Sequence, residues 1–114
     1  MKVHYLEIVS HDVDAVCNAY EAAHGVEFSA PDELLGGART CRLLDGTTVG
    51  VRGPLRETED PVVRPYWLVN DIESAVSRIE AQGAKIAMHP MEIPGKGKFA
   101  IYIIGSNDHG LWQL

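Results

Sequence analysis

Residues Val3 to Val9 alternate with a period of two, which predicts a strand with Val3, Tyr5, Glu7 and Val9 on one face and His4, Leu6 and Ile8 on the other. The period then changes. From Asp12, a residue type suited to a helix N-cap, apolar Val13, Val16, Cys17 and Tyr20 recur at helical spacing until Gly25 supplies a stop. Turn signals at Gly36-Gly37 and Asp45-Gly46 bracket a strand over Arg39 to Leu44, and Thr47 to Arg52, rich in Thr and Val, follows as another. With a weaker strand signal at Val26 to Ser29, the first half reads β-α-β-β-β.

Pro54 to Pro61 is charged, carries a proline at each end and has no sustained apolar period, so it reads as a linker. After it the order repeats. A strand at Val63 to Val69 leads to a helix capped by Asp71, with Ile72, Ala75, Val76 and Ile79 on one face, then Gly83. A shift of 59 positions maps Asp12 onto Asp71, Val13 onto Ile72, Val16 onto Ala75, Cys17 onto Val76 and Tyr20 onto Ile79. Ala84 to Pro90, a Pro/Gly/Lys loop around Glu92 to Lys98, a strand Phe99 to Ile104, a turn Gly105 to Gly110 and a last strand Leu111 to Leu114 complete a second β-α-β-β-β set. The expected fold is α+β: one domain over 1–114, with a first module 1–53, a linker 54–61 and a second module 62–114. Neither half has the length for a core of its own, so the two curved mixed sheets are expected to associate and leave a ligand cleft between them.

Composition narrows the function classes. The 114 residues are 46% hydrophobic and 23% charged with a net charge of −6, values of a soluble globular chain whose sign disfavours nucleic acid and anionic membrane surfaces. No segment approaches the ~18 consecutive apolar residues of a membrane span. Met1 to Ser10 lacks the basic start and apolar core of a secretory signal, which places the chain in the cytoplasm. Cys17 and Cys41, without a CxxC or Cys/His pattern, read as buried thiols.

The duplicated β-α-β-β-β order resembles the vicinal oxygen chelate superfamily, which includes glyoxalase I, the bleomycin and fosfomycin resistance proteins and extradiol dioxygenases. Tyr5-Leu6-Glu7-Ile8 with Asp12 and Ala19-Tyr20 is similar to the opening strand and helix of its metal-poor, glyoxalase-like members. Trp67-Leu68-Val69-Asn70-Asp71-Ile72, Gly83-Ala84-Lys85-Ile86 and the segment from Met91-Glu92-Ile93-Pro94-Gly95 to Phe99-Ala100 carry the likeness through the second half. The family's usual Asp-Pro-x-Gly closing turn is replaced by Asn107-Asp108-His109-Gly110, which makes His109 the unusual side chain there.

Metal-dependent members of the superfamily carry His and Glu ligands on the first and last strands of each module. Counting from the capping aspartates puts Tyr5 and Arg64 at the first-strand positions, and Gly50 or Val51 and Gln113 or Leu114 at the last-strand ones. An arginine there would set a positive charge beside the cation, so the resemblance implies loss of the metal, and no cofactor is expected. A register shift of one residue would bring His4 to the concave face, where it would stand alone.

Period-two counting places Tyr5, Glu7, Arg64 and Tyr66 on the concave faces. Glu7 then reads as a general base or ligand-binding carboxylate, with Arg64 as its partner or an anion clamp, or the two form a structural ion pair. Tyr5, Tyr66, His109 and Gln113 complete the candidate ligand-binding set. Trp67 and Trp112 are expected on the helix-facing side as core, Lys96 and Lys98 as a lid or a solvated turn, and Arg42 and Arg52 either in the cleft or in water. Two functions compete: a metal-independent lyase or isomerase in which Glu7 moves a proton, and a non-catalytic protein that sequesters a drug or metabolite. The partners expected are a small-molecule ligand and, by analogy with the superfamily, a second copy of the chain in a homodimer.

Overall fold

The computed structural model describes residues 1–114. Its elements run β1 (Val3–Val9), α1 (Val13–His24), a short 3-10 turn (Glu33–Leu35), β2 (Arg39–Arg42), β3 (Thr48–Arg52), β4 (Val62–Leu68), α2 (Ile72–Ala81), β5 (Lys85–Ile93), β6 (Gly97–Ile104) and β7 (Asn107–Gln113). The fold is α+β with mixed strand pairing, as the periodicity predicts. No helix is long and apolar enough to cross a membrane.

The chain divides into two compact units, one of Tyr5–Val63 and one of Met1–His4 with Arg64–Leu114. They are called here the α1 unit and the α2 unit. In the α1 unit β3 is central, parallel to β1 and antiparallel to β2, with Glu7 opposite Gly50 and Val9 opposite Arg52. In the α2 unit β7 lies parallel to β4 and antiparallel to β6, which pairs with β5. The start of β1 belongs to this second unit, where the Leu68 amide donates to the Lys2 carbonyl at 2.8 Å.

The two helices form for the same reasons. Asp12 and Asp71 accept from the amides of Ala15 (3.2 Å) and Ser74 (3.1 Å), so each helix start has one of its orphan donors satisfied by a carboxylate of the sign the helix dipole favours. One face of each is apolar. Ile8, Cys17, Phe28, Cys41, Val49 and Val51 form the core beneath α1, and Ile72, Ala75, Val76, Ala100 and Leu111 the core beneath α2. By strand alternation Tyr5, Glu7, Gly50 and Arg52 lie on the helix-free face of the α1 unit. Arg64, Tyr66, Phe99, Asp108, Gly110 and Trp112 do so in the α2 unit.

Three expectations are corrected. Val26–Ser29 is not a strand: Ser29 and Thr40 exchange one backbone bond, but the Thr40 amide donates to the Ser29 hydroxyl at 3.0 Å, so a side chain takes the ladder position and pairing stops there. The α1 unit is therefore β-α-β-β before its charged tail. The last hairpin turns at Gly105-Ser106, both with positive φ as a two-residue type I′ turn demands, so β7 begins at Asn107 and Asp108 and His109 lie in the strand. The faces of this strand are also one residue out of step with the expectation. Leu111 faces α2, so Trp112 lies on the opposite face, 5.7 Å from the Tyr66 ring and 6.1 Å from Phe99, whereas Trp67 packs on the helix side as expected.

Each unit lays a tyrosine across a glycine of the parallel neighbouring strand: Tyr5 over Gly50, and Tyr66 over Gly110. A Cβ at Gly110 would collide with the Tyr66 ring. Gly110→Ala is therefore expected to destabilise the protein by about 1–3 kcal/mol in urea denaturation, and to cost far less in a Tyr66→Ala background.

Candidate functional site

The site is built on the helix-free faces. In the α1 unit Arg52 ends β3 with its guanidinium buried, the side chain being 7% exposed. Its Nε donates to Glu7 Oε2 at 2.9 Å. Its Nη1 and Nη2 donate to Glu59 Oε1 and Oε2, each at 2.8 Å, a bidentate fork. Glu59 Oε1 also accepts from the Leu55 amide at 2.8 Å. One cation thus holds two carboxylates, one from strand β1 and one from the charged segment after β3.

The electrostatics follow from that geometry. The hydrogen bonds from Arg52 outweigh desolvation and, with the Leu55 amide, hold the Glu59 carboxyl down to about 2. The Glu59 hydrogen bond, opposed by desolvation and aided by Glu7, pushes the Arg52 guanidinium further above its ordinary value. Burial first, then the Glu7 charge, push the Tyr5 phenol up, so Tyr5 stays protonated across the physiological range. Burial likewise raises both thiols: Cys17 and Cys41 are buried and free, as expected.

In the α2 unit Arg64 Nη2 donates to Asp108 Oδ2 at 2.9 Å, the arginine side chain 8% exposed and the aspartate 32%. Tyr66, Phe99 and Trp112 stand beside this pair on the same face, with the His4 ring 5.3 Å from Trp112. Trp112 Nε1 donates to the Lys96 carbonyl at 2.9 Å, which ties the β5–β6 turn to β7. Beyond that turn, a groove of about 420 Å³ is lined by Glu92, Ile93, Lys96, Lys98, Gln113 and Leu114, with Glu92 and Lys98 directly opposed across the strands.

Of the predicted residues, Tyr5 and Glu7 share one helix-free face and Arg64 and Tyr66 the other. His109 and Gln113 are not among them. His109 stacks on Tyr102 at 5.2 Å, and Tyr102 packs on the α2 core. Gln113 Oε1 accepts from the Ile72 amide at 2.8 Å, completing the start of α2. Both share the parity of Leu111, which faces α2, one residue out of step with the expected faces. Three charged residues escaped assignment: Arg52, Glu59 and Asp108. Arg52 and Asp108 were readable in principle, because they share the parity of Gly50 and Gly110, the glycines under the two tyrosines. Glu59 lies in an aperiodic stretch and carried no signal.

The donor set does not suit a divalent ion. Arg64 is a cation bound to Asp108, the Tyr5 phenol resists ionisation, and the Gln113 amide oxygen is used by α2. No three His, Cys, Asp or Glu side chains converge to hold one.

No protein-family model and no curated protein sequence matches the chain. Solved structures do. A hypothetical protein of Bacillus halodurans C-125 superposes with a TM-score of 0.76 at 11% identity, covering 99% of this chain and 94% of that one. Methylmalonyl-CoA epimerase of Mycobacterium tuberculosis gives 0.70 at 13% identity over 96% and 85% of the chains. That of Streptomyces coelicolor, in complex with 2-nitronate-propionyl-CoA, gives 0.65 at 16% over 99% and 96%. At such identities the likeness shows the fold alone, the glyoxalase-like fold.

The Glu59 carboxyl falls from an ordinary 4.5 to about 2 on folding, so its stabilisation is present above pH 4.5 and lost as the pH falls toward 2. The loss amounts to at most ~3 kcal/mol for this shift. Urea titrations at pH 6 and pH 3 should show the drop in the parent and a smaller one in Glu59→Gln.

Proposed function

We propose that the protein binds a small organic molecule on its helix-free sheet surface and acts on it as a metal-independent isomerase or lyase, with Glu7 moving the proton. The observation that carries this reading is the placement of Glu7, buried to 7% exposure on the side of the strands that bears no helix, its charge held by Arg52 and the Tyr5 phenol on the same face. Burying an ion pair costs desolvation that well-packed aliphatic side chains avoid, and helix-covered faces in both units are filled that way.

The chemistry assigned to each residue is simple. Glu7 is a carboxylate kept in register by the Arg52 Nε bond, which leaves it oriented to take a proton from carbon next to a carbonyl and return it. Tyr5, protonated throughout, is a hydrogen-bond donor for the oxyanion that develops when that proton leaves. The epimerases among the structural neighbours, one of them in complex with a nitronate of propionyl-CoA, support an isomerase of an acidic carbon as the reaction class.

A second reading, sequestration without turnover, is favoured by the α2 unit, where the Tyr66, Phe99 and Trp112 rings pack together on the face that carries Arg64 and Asp108. A thermal-shift screen of small oxo acids and aromatic drugs separates the two. The catalytic reading expects a hit whose acidic proton exchanges with D2O in the presence of the protein, and a loss of exchange of about 10²–10⁴-fold in Glu7→Gln with ligand affinity retained. A hit bound by the parent without exchange assigns sequestration. A screen in which no small molecule raises the melting temperature contradicts both.

A further inference from the structure

The Glu59 contact with Arg52 has the form of a bound carboxylate. Both guanidinium Nη groups donate to its two oxygens at 2.8 Å, the fork geometry by which arginine recognises carboxylate ligands. The two carboxylates on Arg52 differ in origin. Glu7 comes from β1, in the middle of a paired strand, and cannot leave without breaking the sheet. Glu59 comes from the stretch Pro54 to Pro61, which has no regular secondary structure between β3 and β4. Within residues 55–61 every other residue is exposed, including Leu55 at 66%, and Glu59 alone is turned inward. The segment is therefore tied to β3 by one carboxylate, through Arg52, and the same carboxylate, fixed there, closes the segment's own turn by accepting from the Leu55 amide.

We propose that the Arg52 fork is a carboxylate-binding subsite, that Glu59 fills it in the ligand-free protein, and that a ligand's carboxylate takes its place as the 54–61 segment lifts. The exchange replaces one carboxylate by another, so the buried charge is unchanged and the desolvation cost that opposes most charge burial is nearly cancelled. The Arg52 guanidinium also donates from Nε to Glu7 Oε2 at 2.9 Å and from Nη1 to the Gly53 carbonyl at 3.2 Å, so it stays in place when its partner changes. This inference rests on the small-molecule reading above and deepens it: the substrate is a carboxylic acid, bound by Arg52 with its acidic carbon toward Glu7.

Acetate is the probe, with chloride at matched ionic strength as the control. In Glu59→Ala the fork has lost its internal ligand, and acetate is expected to restore much of the lost melting temperature saturably while chloride does not. In the parent, acetate is expected to accelerate hydrogen exchange of the Leu55 amide, about tenfold or more at high concentration, because displaced Glu59 no longer accepts from it. Rescue of the variant without faster Leu55 exchange in the parent would overturn the displacement, and absence of both effects would overturn the subsite. Should Glu59→Ala fail to fold, the Leu55 measurement on the parent decides alone. A hit from the small-molecule screen that stabilises the parent yet leaves Leu55 exchange unchanged also overturns the subsite, but leaves the ligand-binding reading standing.

Discussion

A guanidinium cannot give up its proton, so once Arg52 is buried the surrounding chain must bring negative charge to it. That requirement organises the helix-free face of the α1 unit. It fixes the Glu7 carboxylate on β1, draws Glu59 inward from an otherwise exposed segment, and sets the field in which the Tyr5 phenol sits. Burial first, and the Glu7 charge second, raise the pKa of the Tyr5 phenol on this face. Local backbone preference has little part in this arrangement, since its members are 45 and 7 residues apart from Arg52 in sequence.

The α2 unit meets the same problem with other residues. Arg64 pairs with Asp108 from the parallel neighbour strand, and aromatic rings stand on the same face. The shared device is the tyrosine lying over a glycine, Tyr5 on Gly50 and Tyr66 on Gly110, which brings a phenol ring flat against backbone where any Cβ would stand in the way. The two units are thus related in their helices and caps and in this tyrosine and glycine pair. They differ in what surrounds the buried arginine: two carboxylates meet Arg52 in the α1 unit, and packed aromatic rings share the face of Arg64 and Asp108 in the α2 unit.

Much of the fold was legible because its signals are local. Asp12 and Asp71 announce their helices, the period-two run Val3–Val9 is observed with the bounds read from it, and the repeat of 59 positions pairs the two helices. The misses have physical causes. At Ser29 a side-chain hydroxyl displaced a ladder bond, and at Gly105-Ser106 a serine accepted a positive φ that sequence preference assigns to glycine or asparagine. On β7 the expected parity is one residue out, and the observed register moves Trp112 to the helix-free face and Gln113, with His109, to the helix side. Among the candidate residues, parity alone puts Tyr5, Glu7, Arg64 and Tyr66 on the helix-free faces, where the structure has them. Arg52 was recognised only as a residue with two possible faces, and Glu59, whose position depends on a contact rather than a pattern, was legible only from the structure.

If the buried Arg52 charge is what orders this face, its coupling to Glu7 must be large, and a double-mutant cycle of Glu7→Gln and Arg52→Met in urea denaturation measures it directly. The account predicts that either single change is costly, that Arg52→Met is the worse because it strands both Glu7 and Glu59, and that the pair together costs at least ~2 kcal/mol less than the sum. Additive single effects would contradict it, and would mean that Glu7 and Arg52 meet without depending on one another.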